Sequence, residues 1–142
     1  MQGFRLAATL LLTLALAAGL ALAQDVKALT AQGIEQCNDG KFDQAIATFT
    51  QALKQNPKDA NVLFYRGKAY TAKGHYDRAL ADLNEAVKLN PGFGQAYFGR
   101  AMVYVYQEKF DQAIEELNLA QNNGYKDEDF LKLVRKRAAA KK

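Results

Sequence analysis

A lone histidine, a lone cysteine and two acidic pairs are the residues of this sequence that could do chemistry. His75 could move a proton or bind a metal. Cys37 could attack as a thiolate, and Glu115-Glu116 or Glu128-Asp129 could act as general acid and base. None of them has the partner its chemistry requires. A nucleophilic thiol needs an adjacent base, and a zinc site needs three or four His, Cys or carboxylate ligands. His75 precedes Tyr76 between two helical patterns and reads as an exposed turn residue. Neighbouring acids on a helix point in different directions, so the two pairs read as solvated faces. A glycine-rich phosphate loop is also missing from the sequence. The expectation is a protein that is not an enzyme and uses no cofactor and no metal. Cys37 reads as a small half-buried hydrophobe on a helix, with a free thiol able to link to a partner or a second copy as the alternative.

The elements that position these residues belong to one domain by length. Hydrophobic residues at 49% and charged residues at 24% are ordinary for a soluble globular protein. With only two prolines and no Pro/Ser/Gly-rich linker, nothing divides the chain. The net charge of +4 sits in the tail, where Lys132, Arg135, Lys136, Arg137, Lys141 and Lys142 fall together. The remainder after the leader is slightly acidic, which argues against nucleic acid as a partner. The tail complements a helix dipole. Its alternative use is a weak contact with anionic lipid head groups or an acidic partner.

Residues 1–23 are of a different kind. Met1 to Arg5 carries one positive charge, Leu6 to Leu22 is nearly all Leu and Ala, and Ala21-Leu22-Ala23 precedes Gln24. These are the three parts of a secretory signal peptide, with cleavage expected after Ala23. The alternative is an uncleaved membrane anchor, because the apolar run approaches the roughly 18 residues that mark a membrane-spanning candidate. Export to a bacterial periplasm or secretion is the expected localisation. A single cysteine cannot form an internal disulfide, so packing alone must hold residues 24–142.

Comparing the sequence with itself at an offset of 34 aligns small residues with small and large with large. Gly33 falls on Gly67 and Ala101, Ala45 on Ala79 and Ala113, and Ala52 on Ala86 and Ala120. Phe42 falls on Tyr76 and Phe110, Phe49 on Leu83 and Leu117, and Asn56-Pro57 on Asn90-Pro91. Each unit reads as two helices. In the second, Leu63, Gly67 and Tyr70 form one face, Gly74 interrupts, and Tyr76, Leu80, Leu83 and Val87 form the next. The first runs from Val26, breaks at Gly40 and restarts at Phe42. The third runs from Gln95, turns near Glu108 and restarts at Phe110. The small residues let paired helices approach, and the large ones fill the space between pairs. Arg66 and Arg100 recur at one repeat position, suited to the outer face or to packing between repeats. Beyond the third unit, Phe130, Leu133, Val134 and Arg137 share a face, predicting a seventh helix that caps the stack.

These residues resemble the tetratricopeptide repeat family. The second unit carries its pattern at Leu63, Gly67, Tyr70, Ala79, Leu83, Ala86 and Pro91. The first carries Leu29, Gly33, Ala45, Phe49, Ala52 and Pro57, with Gln36 in place of Tyr. The third carries Tyr97, Ala101, Tyr104, Ala113, Leu117 and Ala120, with Tyr125 where Pro is usual and Glu108 where Gly is usual. The resemblance implies an all-α right-handed solenoid of three helix-turn-helix repeats, at 26–59, 60–93 and 94–127, with a capping helix over about 127–140.

In that family the first helices of successive repeats line a concave face. Carried over by alignment, the lining is Lys27, Thr30, Ile34, Cys37 and Asn38, then Asn61, Phe64, Lys68 and Thr71, then Gln95, Phe98, Met102, Val105 and Tyr106. The third of these helices is apolar on more sides than stacking can bury, which leaves Phe98, Met102, Val105 and Tyr106 for the groove. The alternative is that the N-terminal segment or neighbouring side chains cover this patch. Some family members clamp the carboxylate end of a chaperone tail with Lys, Asn and Arg. The aligned positions here hold Thr30, Ile34, Tyr65, Gln95 and Gly99, so that partner is not expected. The expected function is an exported scaffold or adaptor whose groove grips apolar or aromatic side chains of a protein or peptide partner, a segment of an envelope protein. The alternatives are a homo-oligomeric structural protein using the third repeat and Cys37, and a membrane-tethered assembly factor. Contact with a membrane is expected only through an uncleaved N-terminus or the basic C-terminus.

Overall fold

The computed structural model describes the backbone of residues 2–141 and the side chains of residues 9–16 and 25–141. Seven helices follow one another among these residues: α1 (Gln2–Asn38), α2 (Phe42–Gln55), α3 (Ala60–Ala72), α4 (Tyr76–Leu89), α5 (Gly94–Tyr106), α6 (Phe110–Asn122) and α7 (Glu128–Ala140). Helices α1 and α2, α3 and α4, and α5 and α6 pack as antiparallel pairs. Each pair contacts the next through α2 and α3 or α4 and α5, and α7 closes the end against α6. The architecture is the all-α solenoid that the repeat predicts.

The first helix differs from the expected start at Val26. It runs unbroken from Gln2, so residues 2–23 and the first repeat helix are one element. The physical reason is local: residues 6–23 are dominated by strong helix formers, and Gln24-Asp25 supplies neither proline nor glycine to stop them. Leu10, Leu11, Leu12, Leu14 and Leu16 are 69–75% exposed, so these leucines are not seated on the repeats. The cleavage motif Ala21-Leu22-Ala23 has side chains outside the described residues. Among the described residues no helix is long and apolar enough to cross a membrane.

One turn is used three times inside the repeats. The amides of Lys41, His75 and Lys109 donate to the carbonyls of Gln36, Tyr70 and Tyr104 at 2.8–2.9 Å. This closure needs a left-handed residue just before it, supplied by Gly40 (φ 74°), Gly74 (φ 75°) and, in the third repeat, Glu108 (φ 58°). The Glu108 carboxylate accepts from Lys141 Nζ at 2.6 Å, which ties the strained turn to α7 and holds that carboxyl below its usual range. Asp59 caps α3, its Oδ1 accepting from the amides of Asn61 and Val62, and Asp127 caps α7 by accepting from Phe130.

Packing within a repeat depends on a missing side chain. A Cβ built on Gly33 would meet the Phe49 ring at 2.4 Å, and one on Gly67 would meet Leu83 Cγ at 2.9 Å. Phe49 and Leu83 are fully buried at the centre of the core shared by α1 to α5. A second cluster, Ala101, Ala113, Leu117, Leu131 and Val134, joins α5 and α6 to α7.

The repeated arginines bind three helices together. Arg66 on α3 donates to both carboxylate oxygens of Asp82 on α4, at 2.7 and 2.8 Å, and to Thr50 Oγ1 on α2 at 3.1 Å. Arg100 on α5 does the corresponding work, donating through Nε and one Nη to a single oxygen of Glu116 on α6, Oε2, at 3.0 and 2.6 Å, and through the other Nη to Asn84 Oδ1 on α4 at 2.9 Å. Their place is therefore packing between repeats, and Glu116 is no solvated acid: its side chain is 14% exposed. Burial pushes its carboxyl above the usual range, while Arg100 draws it back.

Replacing Gly33 with Ala tests the close approach. Helix preference alone favours Ala over Gly by about 0.5–1 kcal/mol. Overpacking against Phe49 is expected to outweigh this and leave the protein roughly 1–2 kcal/mol less stable. Urea unfolding followed by circular dichroism measures the sign, and a stabilised variant contradicts the packing described here.

Candidate functional site

The concave side of the stack is formed by the first helix of each repeat. Its main aromatic-walled cavity, about 520 Å³, lies between α3 and α5. From α3 come Asn61, Phe64, Tyr65, Lys68, Thr71 and Ala72, and from α5 come Gln95, Phe98, Gly99, Met102 and Tyr106. Two turn residues complete the wall, Phe93 before α5 and Tyr125 before α7. A smaller cavity of about 220 Å³ adjoins it between α1 and α3, lined by Ile34, Cys37, Asn38, Phe42, Tyr65, Lys68, Ala69 and Ala72. A third, at the far edge and about 590 Å³, includes Lys27, Thr30, Ile34, Asp59 and Asn61. Tyr65, Lys68 and Ala72 border both of the first two cavities, and Ile34 and Asn61 link them to the third. The three form one continuous face.

Of the twelve residues named for the groove by alignment, Asn61, Phe64, Lys68, Thr71, Gln95, Phe98, Met102 and Tyr106 line the main cavity. Ile34, Cys37 and Asn38 line the adjoining one. Val105 borders none of the three, and packs instead with the second core cluster that includes α7. The alignment could not show which side chains of α5 that cluster takes up, so it left Val105 free.

The sequence reading missed the turn aromatics. Phe93 and Tyr125 each follow a glycine, in Gly92-Phe93 and Gly124-Tyr125, and each folds over the groove. The Phe93 ring lies 5.1 Å from Phe64, and the Tyr125 ring 4.7 Å from Phe98, in tilted arrangements that favour edge-to-face contact. Gly94 permits this. A Cβ there would come within 2.7 Å of Asn123 O and 2.9 Å of Tyr125 Cβ. The recurring Gly-aromatic pair was the available signal.

The groove is apolar with sparse polar groups. Lys68 Nζ stands 5.5 Å from the Phe64 ring centre and 5.9 Å from that of Tyr65. Cys37 is half-buried, and burial raises its thiol above the ordinary range, so it stays protonated at neutral pH. His75 is exposed, its ring 6.1 Å from Tyr70. Among the described residues no group of three or more His, Cys, Asp and Glu could hold a metal ion. The arrangement suits contact with a polypeptide's side chains and assembles no nucleophile, base and oxyanion site.

Two family models described as tetratricopeptide repeat match this chain, one over residues 30–92 and one over 70–136. No curated protein matches it in sequence. Solved structures match over most of their length. The first TPR domain of human RPAP3 is 22% identical with a TM-score of 0.78, covering 82% of this chain and 94% of its own. The TPR2B domain of yeast Sti1, solved in a pHsp70 complex, is 22% identical with a TM-score of 0.74, covering 84% and 99%. The Yersinia enterocolitica type III secretion chaperone SycD, in complex with a peptide of the translocator YopD, is 19% identical with a TM-score of 0.68, covering 82% and 88%. At these identities the likeness is one of fold.

Phe98 serves both the groove and the cap, since its ring also lies 5.4 Å from Phe130 of α7. Phe98→Ala is expected to destabilise the protein by roughly 2–3 kcal/mol, below the range for a fully buried Phe because the ring is half-buried. Faster amide exchange in α7 than in α3 should accompany the loss. Unchanged exchange in α7 contradicts the shared role.

Proposed function

Since this chain belongs to the tetratricopeptide repeat family, we propose that it is an exported interaction module whose concave face binds a peptide segment of an envelope protein. The observation that carries this reading is the cavity between α3 and α5, walled by Phe64, Phe93, Phe98, Tyr125 and Met102. Aromatic residues and Met are the types enriched at protein interfaces. Three similar folds support the class of ligand: the Sti1 domain was solved with pHsp70, SycD with a YopD peptide, and another TPR domain, that of Spaghetti, with the peptide SRMEEVD. The chaperone-tail clamp is not part of the proposal, because Thr30, Ile34, Tyr65, Gln95 and Gly99 carry no charge. The Thr30 hydroxyl is already donated to Val26 O at 2.7 Å. No catalytic role is proposed.

A photo-crosslinking amino acid placed at Met102 in the host cell is expected to capture a discrete polypeptide. The same group at Glu115, exposed on α6, is expected to capture none. Equal capture from both positions contradicts the groove. Export has its own test. Intact mass of the protein recovered from the host should show loss of residues 1–23, and a full-length mass favours the tethered alternative.

A further inference from the structure

The concave face has a charge at its centre that no carboxylate among the described residues pairs with. Lys68 is the single charged residue lining the main cavity, and the single one lining the cavity beside it. Among the described residues its ammonium forms no ion pair; it is held instead above the Phe64 and Tyr65 rings. The acid among the residues lining the three cavities, Asp59, already accepts two amides at the start of α3. Arg66 and Arg100 present the contrast, each saturated by a carboxylate and a neutral oxygen. A cation beside aromatic faces attracts an anion more strongly once a ligand displaces the water around it. It also rejects basic segments.

Position decides the form of the anion. Lys68 stands mid-groove, because the cavities on either side of it both continue, one toward Tyr125 and the other through Ile34 to the third cavity. A chain end is not required there. We propose that the groove takes an internal peptide segment with an Asp or Glu side chain at Lys68 and an aromatic or large aliphatic side chain among Phe64, Phe93 and Phe98. This rests on the peptide-groove reading above and names its ligand class.

The test is a selection of random decapeptides, displayed in one library without a free C-terminus and in a second with one, on the full chain and on its Lys68→Glu variant. Lys68 is exposed, so the variant keeps the fold, which circular dichroism confirms. The unmodified chain should enrich an acid at fixed spacing from an aromatic or aliphatic residue. Lys68→Glu should enrich Lys or Arg at that place and bind the first set of peptides at least tenfold more weakly. Enriched peptides with no acid, or equal binding to both proteins, overturn the role of Lys68. Met102→Glu separates the two failures. Acid-free peptides that lose binding to Met102→Glu leave the groove standing. Peptides that ignore Met102→Glu, or a selection that enriches nothing, remove the groove as well. Enrichment that appears only with a free C-terminus overturns the internal segment in favour of a chain end.

Discussion

In the first two repeats the paired helices lie close because one of them gives up a side chain to the other, and in the third Ala101 leaves only a methyl in that place. Gly33 yields to Phe49 and Gly67 to Leu83, at distances a Cβ would violate. That contact places Phe49 and Leu83 beyond the reach of water and turns the opposite face of α1 and α3 outward. The groove is a product of this packing. If the second helix of each repeat stood farther away, the large residues would lose the contacts that bury them, and the concave walls would splay.

The arginines add direction to this packing. Apolar contacts tolerate sliding, whereas a guanidinium fork on a carboxylate does not. Arg66 and Arg100 each link three successive helices, so the angle between neighbouring repeats is held by hydrogen bonds of fixed geometry. The ladder ends where the stack ends. The residue 34 positions after Arg100 is Val134, buried in the cluster under α7, and the one 34 before Asp82 is Thr48, which donates to Gln36. Charged rungs lie inside the ladder, and neutral residues stand at the corresponding positions at both ends.

The sequence makes the repeats legible because their physics is local and recurs every 34 residues. Small residues facing large ones, and turn signals at Gly40, Gly74 and Asn90-Pro91, suffice to set the helices. The helix α1 starts earlier than the repeat pattern indicates because the Ala- and Leu-rich run before Gln24 favours helix and meets no proline or glycine between Ala21 and Gly33. Within the groove, helix positions could be read from alignment, but Phe93 and Tyr125 could not, since they belong to turns whose path depends on Gly94 meeting Asn123. Val105 and Glu116 were misplaced for one reason. Each is partly buried by residues outside its own helix, the cluster that α6 and α7 complete in one case and Arg100 on α5 in the other.

The most direct measurement of the central claim is a methyl NMR titration of the full chain with a peptide it binds. The Met102 and Ile34 methyls report on the two ends of the groove, and Leu119 and Leu133, both exposed on α6 and α7, report on the outside. The account predicts saturable shifts at Met102 and Ile34 and none at Leu119 and Leu133. Shifts confined to Leu119 and Leu133 would place binding on the outer face and contradict it.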